Sequence, residues 1–376
     1  MRNLHFVFLS FILLLSSCSN NNTKQSVNDK IDNNNLMYYS KLVHLEKYKE
    51  GYVVDIKNPW LKDTLLGHFY IYPDSLELPE NLEKKTVIRT PVKSAVTYSS
   101  TQWSVFLKLD EISRVKGILE SNYTNNKTIK QLIADGKITD VGSEVNIDIE
   151  KIIHLQPDII LYTPYPNSYE NVLSLTNAIA FPFADYLEND PLGRAEWLKI
   201  IAVIVGKEDV AEQWFNGIVE RYNSLKDNCI DINNRPEVFS DLPFEGQWYV
   251  PGGRSYIATL FNDAGANYVW KDNQSSGSVP IDFESVLIKA AHADFWRVIN
   301  STNTSFTYDK LLAENELYKL FDAFNKKQLI VCNIKETEYF EQSQYQPDIL
   351  LKDFIYHFHP EIIEEDYEPV YYKLLK

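Results

Sequence analysis

Two stretches decide the fold: IDIEKIIHLQPDIIL at 147–161 and IDFESVLIKAAHADFW at 281–296. Ile, Asp and Glu recur in register at the start of each, and the remaining apolar positions exchange only for other apolar residues. Each reads as an amphipathic helix followed by a buried strand, since apolar residues at helical spacing give way to a short continuous apolar run. A local unit that returns in one chain indicates two related halves. In both copies an Asp (148, 282) stands where a helix N-cap belongs, and a Glu (150, 284) follows two residues later. A carboxylate there is favoured by the unpaired N–H groups of the first turn and by the helix dipole. Capping explains one such Glu but not its return in the second half. One carboxylate on each half also suits docking onto two matching basic sites of a two-fold symmetric partner. The two roles are compatible.

Outward from these units, strands alternate with helices, the pattern of a parallel sheet. In the first half, KKTVIRTP (84–91) opens the alternation, followed by a helix near 100–110, the strand VKGIL and the helix from Asp148. In the second half come PEVFSDLPF (236–244), a helix from about Arg254, a helix from Phe283, DFWRVI, a helix at 310–325, QLIVCN (328–333) and a last helix from Asp348. Between the halves, residues 191–228 are helical almost throughout. Gly206 divides them, and the second helix, of about 20 residues, spans roughly 30 Å. No Gly-rich linker interrupts the join, so the connection is stiff. Before the first half, GYVVDIKNPWLKDTLLGHFYIYP, starting at Gly51, alternates apolar and polar residues around a turn-rich centre and reads as a β-hairpin.

The N-terminus carries targeting information. After Arg2, FVFLSFILLL (6–15) is too short to span a bilayer but fits the centre of a secretory signal. The following LSSC looks like a bacterial lipobox, which would make Cys18 the acylated first residue of the mature chain. SNNNTKQSVNDKIDNNN (19–35) is polar and without hydrophobic periodicity, a flexible tether with a span of roughly 20–25 Å. The expected organisation is a signal peptide at 1–17, acylated Cys and tether at 18–36, a hairpin extension at 37–85, an α/β lobe at 86–190, linking helices at 191–228 and a second α/β lobe at 229–376.

Net charge is −15, which argues against a nucleic-acid binder, since that needs clustered Lys and Arg to replace counterions. No GxSxG elbow is present, and GGRSYIA (252–258) reads as a helix start rather than a nucleophile turn. HFHP (357–360) closes an apolar helix and reads as structural histidine. The other mature histidines are scattered, against a bare-metal site. Cys229 and Cys332 show no metal spacing and read as buried thiols more readily than as a bridge. No phosphate loop is present, so ATP hydrolysis is not expected of this chain. It is not expected to be an enzyme, and no cofactor is expected.

With the lipobox, TVIRTPVKSAVTYSS, NIDIEKIIHLQPDIIL, GRAEWLKIIAVIVGKEDVAEQWFNGIVERYNSLK, YVPGGRSYIATLFNDAGANYVW and PIDFESVLIKAAHADFW in this order, the chain resembles the substrate-binding lipoproteins of ABC importers for iron–siderophore complexes and cobalamin. The resemblance covers roughly 86–365. It implies an α/β fold of two Rossmann-like lobes with parallel sheets, joined by a single long backbone helix, with the ligand cleft between the lobes. It implies a chelate ligand, an iron–siderophore complex ahead of a corrinoid or heme, and a permease dimer with its ATPase subunits as partner. Glu150 and Glu284 match the family's permease-docking positions. The anchored chain would face the periplasm at the cell envelope. A surface glycan-binding lipoprotein is the alternative from another class, suggested by the 24 Tyr, 19 Phe and 7 Trp.

In an open parallel sheet, ligands bind beyond the carboxyl ends of the strands. The loops so placed are VTYSSTQW (96–103), GSEVN (142–146), TPYPNS (163–168), PFEGQWYVPGGRSY (243–256) and SSGSVP (275–280). They supply the expected ligand residues Tyr98, Trp103, Glu144, Tyr165, Trp248, Tyr249 and Arg254. Aromatic faces suit a large chelate, and a guanidinium suits carboxylate or hydroxamate oxygens.

Overall fold

Ala95–Thr97 forms the middle strand of a five-stranded sheet whose members all run parallel. The architecture comes from a computed structural model, which describes residues 34–79, 82, 86–166 and 170–376. The signal peptide, Cys18 and most of the tether expected from the sequence lie outside the described residues. The first-lobe sheet has the order Ile179–Pro182, Ile159–Tyr162, Ala95–Thr97, Val115–Ile118, Thr139–Asp140. The second-lobe sheet has the order Asn267–Tyr268, Glu237–Ser240, Phe295–Asn300, Leu329–Asn333, Lys373–Leu374, parallel except for its last strand.

The two repeated units occupy equivalent places in these sheets. Ile149–Leu155 is a helix capped by Asp148, which accepts from Lys151 N at 3.1 Å. Phe283–Ala290 is a helix capped by Asp282, which accepts from Ser285 N at 2.7 Å. The strand after each helix lies between the lobe's first strand and the strand that follows next. Beneath the first helix, Ile152 packs with Val96, Val141 and Ile160 in a small core on one face of the sheet. This is the α/β two-lobe architecture that the repeat implied.

Residues 191–227 form three helices, Pro191–Glu196, Leu198–Val205 and Glu208–Asp227. Gly206 ends the second with φ +72°, a left-handed conformation that favours glycine. Leu198–Val205 is buried on every side, so LKIIAVIV needs no polar face. Glu208–Asp227, of 20 residues, is the long connecting helix. The C-terminal helix Pro347–Phe358 packs along it, with Arg221 Nε 2.6 Å from Asp348 Oδ2.

The amino-terminal region differs from the sequence expectation. Val43–Tyr48, Gly51–Lys57 and Leu65–Pro73 form an antiparallel meander, so the hairpin has a third strand. Val87–Thr90, expected to open the first lobe, instead adds to this sheet parallel to Leu65–Pro73. The reason is apolar: Ile88, Ile71, Ile56 and Phe69 enter the main core, where Phe69 meets Phe181 of the first lobe at 4.9 Å between ring centroids. Two buried carboxylates fix the loop before the meander. Glu196 accepts from the backbone N–H of Tyr38, Tyr39 and Ser40, and Glu188 from those of Lys41 and Leu42.

The helix expected at 310–325 is broken into Tyr308–Glu314, a 3-10 turn at Glu316–Leu320, and Asp322–Asn325. Asn315 causes the break. Its backbone is extended, and its side chain accepts from Leu317 N in place of a helical bond.

Candidate ligand-binding cleft

Where the first-lobe strands end, three chain segments turn toward the second lobe. Tyr98 follows Ala95–Thr97, Glu120 closely follows Val115–Ile118, and Glu144 sits in the short hairpin of 142–147. Together with Trp103, Ile334, Lys335 and Phe340 they line an inter-lobe cavity of about 470 Å³. The wall is built locally. Gln102 accepts from Tyr98 N at 2.8 Å and Ser99 N at 3.2 Å, fixing the start of the helix Ser100–Lys108 and with it the position of Trp103.

Phenols and carboxyls make up much of the polar part of this wall, beside Ser99, Ser100, Thr124, Asn125 and Lys335. Tyr98 is buried, and its hydroxyl has no hydrogen-bond partner among the described residues. Burial pushes its phenol well above the ordinary range, and the charge of Glu144 adds to the shift. Tyr165 donates to Glu144 Oε2 at 3.2 Å and lies 5.5 Å from the Tyr186 ring. Burial and Glu144 push its pKa up to about 12. Glu144 is itself raised, first by burial and then by the neighbouring Glu120, against the lowering effect of the Tyr165 bond. Glu120 Oε1 accepts from Glu144 N at 3.1 Å, so the two carboxyls stand together.

The second lobe reaches this wall through one segment, 334–345, which leaves the end of Leu329–Asn333 and crosses to the first lobe. Asn125 donates from its amide to Ile334 O and to Thr337 O, the latter at 3.2 Å. Its backbone N–H donates to Glu341 Oε1 at 2.8 Å. Asn126 donates to Glu338 Oε2 at 3.1 Å, and Ser100 Oγ to Phe340 O at 3.0 Å. Behind it, Gln344 joins Arg194 (Nε to Oε1, 2.9 Å) to the buried Asp185, which also accepts from Thr101 Oγ1 at 3.0 Å. The segment is a strap between the lobes.

Of the seven ligand residues expected from sequence, Tyr98, Trp103 and Glu144 line the cavity, and Tyr165 joins through Glu144. The other three are placed elsewhere. Trp248 is 1% exposed and sits in the second-lobe core, 5.7 Å from the Trp296 ring and 5.9 Å from Phe283, with Nε1 donating to Ser240 O. Its strand, Gln247–Pro251, doubles back against Ser278–Ile281 as a small antiparallel sheet, which turns the indole inward. Tyr249 is exposed on the opposite face of that strand. Arg254 donates to Gln274. None of the three lines the inter-lobe cavity. Glu150 and Glu284 are both exposed in the first turns of their helices.

Sequence reasoning missed Glu120, Asn125, Lys335, Phe340 and Glu341. The signal was available, because both VKGIL and QLIVCN are parallel strands whose carboxyl ends obey the same rule as the loops chosen.

The sequence profile of the periplasmic binding protein family matches residues 95–335, well over half of the chain. This chain belongs to the periplasmic binding protein family. A relative from Methanocaldococcus jannaschii, an uncharacterized lipoprotein, is 30% identical over 291 residues, covering 73% of this chain and 67% of its own. Among solved structures, a periplasmic heme binding protein from Pseudomonas aeruginosa superposes with a TM-score of 0.59 at 16% identity. It covers 76% of this chain and 98% of its own. A periplasmic vitamin B12 binding protein of Vibrio cholerae superposes with a TM-score of 0.52 at 13% identity, covering 73% and 99%. At such identities the likeness is one of fold.

In this periplasmic binding protein the two histidines of HFHP are buried and structural. His357 Nε2 lies 2.8 Å from Tyr372 O, and His359 Nε2 3.0 Å from Gly265 O. Cys229 and Cys332 are free, buried thiols, pushed up to about 11 by burial. Among the described residues no cluster of His, Cys, Asp and Glu is placed to hold a metal ion, and no helix is long and apolar enough to cross a membrane.

Proposed function

We propose that this chain is the substrate-binding lipoprotein of an ABC importer, anchored through acylated Cys18 and facing the periplasm, which captures a metal chelate and delivers it to a permease. The observation that carries the reading is a cavity between the lobes at the carboxyl ends of the first-lobe strands, walled by aromatic and polar side chains from both. Its volume, about 470 Å³, falls within the range of roughly 300–1,000 Å³ usual for small-ligand sites. That size suits an iron–siderophore complex better than the bulkier corrinoid. The exposed aromatic faces of Phe340 and Tyr123 supply apolar contact, with the buried Trp103 behind them, and Tyr98 and Glu144 supply orientation. The ligand brings its own metal, so the protein needs no ligating cluster.

Delivery rests on Glu150 and Glu284. They occupy matching positions on the two lobes, each exposed at a helix start whose capping is already done by the preceding Asp. They are therefore free to meet basic residues of a two-fold permease dimer. Reversing both to Lys should abolish uptake in a reconstituted importer while leaving chelate affinity intact, and undiminished uptake would remove the docking claim.

The capture step is tested by tryptophan fluorescence of the full chain in detergent, titrated with ferric hydroxamates, ferric catecholates, cobalamin and heme. Saturable quenching by one class, weakened in Trp103→Phe, names the substrate. Quenching by none of them returns the ligand to the glycan class suggested by the aromatic composition.

A further inference from the structure

The charge of the cleft narrows the chelate, an inference that rests on the inter-lobe cavity being the capture site. Its lining holds three carboxyls, Glu120, Glu144 and Glu341, against a single ammonium, Lys335. Glu341 is committed to the strap through Asn125 N. Glu120 and Glu144 are not committed in that way. They meet through Glu144 N, and their hydrogen-bond partners among the described residues are a backbone N–H and the Tyr165 phenol, neither of them a cation. Lys335 lies 5.9 Å from the Tyr123 ring, over an aromatic face.

Two adjacent carboxyls without a cation are unfavourable when both ionise, and a positive group between them relieves the repulsion. The second observation is independent of charge. Tyr98 is 6% exposed, lines the same cavity, and its buried hydroxyl is unpartnered among the described residues. A buried polar group of this kind normally has a partner, and an incoming ligand oxygen supplies one. The guanidinium that would suit a polyanionic chelate, Arg254, is occupied with Gln274 and does not line the cavity. The whole-chain charge of −15 also slows the approach of anions.

We infer that the cleft selects a neutral or cationic metal chelate, one that presents ammonium or N–H donors to Glu120 and Glu144 and an oxygen to the Tyr98 hydroxyl. A polyanionic chelate, such as a ferric tricatecholate, meets carboxylates where it needs guanidinium groups. The selection is made by the first-lobe lip, since the second-lobe wall contributes Ile334, Phe340, the strap-bound Glu341 and Lys335, whose ammonium lies over the Tyr123 ring.

The test uses one iron centre with three charges. The full chain in detergent is titrated, by tryptophan quenching, with ferrioxamine B, which carries a pendant ammonium, and with its N-acetyl and N-succinyl derivatives, which are neutral and anionic. Affinity should fall in that order, by roughly tenfold from cation to anion, equivalent to about 1.4 kcal/mol. The spread should shrink as salt is raised. In Glu120→Gln/Glu144→Gln, checked for fold by circular dichroism, the order should flatten. An anionic derivative that binds as tightly as the cationic one overturns the inference and leaves the importer reading standing. Preference for the cation that survives the double substitution overturns the assignment to Glu120 and Glu144. The ladder on the unsubstituted protein decides the charge class even if the variant fails to fold. Should none of the three bind, nor a ferric catecholate, cobalamin or heme, the inference and the chelate reading fall together.

Discussion

Tyr98 places a phenol among Val96, Leu119, Val141 and Ile160, an apolar setting in which its hydroxyl has no partner among the described residues. An unmet buried hydroxyl destabilises the empty protein, and removing it relieves that cost. Tyr98→Phe should therefore raise the stability of the empty protein by up to about 1 kcal/mol and weaken chelate binding several-fold, the net worth of one hydrogen bond. Urea unfolding and a quenching titration read the two effects separately, and unchanged affinity would take the hydroxyl out of the contact set. Trp248 behaves in the opposite way. It touches Phe239, Phe283, Trp296 and Phe321 and has almost no exposed surface. Trp248→Ala should cost about 3–5 kcal/mol through the cavity left behind, while the folded fraction binds chelate with undiminished affinity. Loss of affinity without loss of stability would return Trp248 to the cleft.

The two helices that open the repeated units show how a short element carries a legible signal. Asp148 and Asp282 accept helix N–H groups, and those bonds hold both carboxyls below their ordinary value of 3.8. A depressed carboxyl contributes stability that is present above the ordinary pKa and is lost as pH falls through the depressed value. Asp148→Asn/Asp282→Asn keeps a capping oxygen without the charge. The double variant should therefore lose less stability than the unsubstituted protein as pH falls below about 4, followed by circular dichroism during acid titration. Identical acid profiles would deny the caps that role. These helices, the strands after them and the long connecting helix were legible because periodicity and capping are local. The strand end after Ala95–Thr97 and the hairpin of 142–147 were legible too, which is why Tyr98, Trp103 and Glu144, named from sequence, all lie on the cavity wall. On Gln247–Pro251 the alternation of one residue in and the next out was visible in the sequence. Which face met the core was not, because that depends on the strand pairing with Ser278–Ile281, far along the chain. Val87–Thr90 failed similarly: an apolar strand is compatible with either of two neighbouring sheets, and the packing of Ile88 and Phe69 decides between them.

Over the whole molecule, two connections between the lobes bear on their movement. The helix Glu208–Asp227 spans them on one side, and the strap of 334–345 ties the second lobe to the first beside the cavity. A single stiff helix resists bending but leaves the lobes free to rock, whereas a second attachment near the ligand opposes rocking as well. Ligand-driven closure should accordingly be small, a shear of packed elements rather than a hinge rotation. Asn125 is the residue on which the strap depends most, since its amide donates to both Ile334 O and Thr337 O and its N–H meets Glu341. Asn125→Ala removes the amide bonds and leaves two carbonyls to find water. It should cost about 1–3 kcal/mol in urea unfolding and enlarge the change in radius of gyration on chelate binding, measured by small-angle X-ray scattering. The unsubstituted protein should show little change in the same experiment. The strap also has a pH signature. Burial raises Glu341 above its ordinary 4.5, so its contribution is fully present below that value and declines as pH rises through the shifted one. Glu341→Gln, which still accepts from Asn125 N, should remove that decline and make the scattering change independent of pH over the same window. A large compaction in the unsubstituted protein, equal to that of Asn125→Ala, would show that the strap does not hold the lobes.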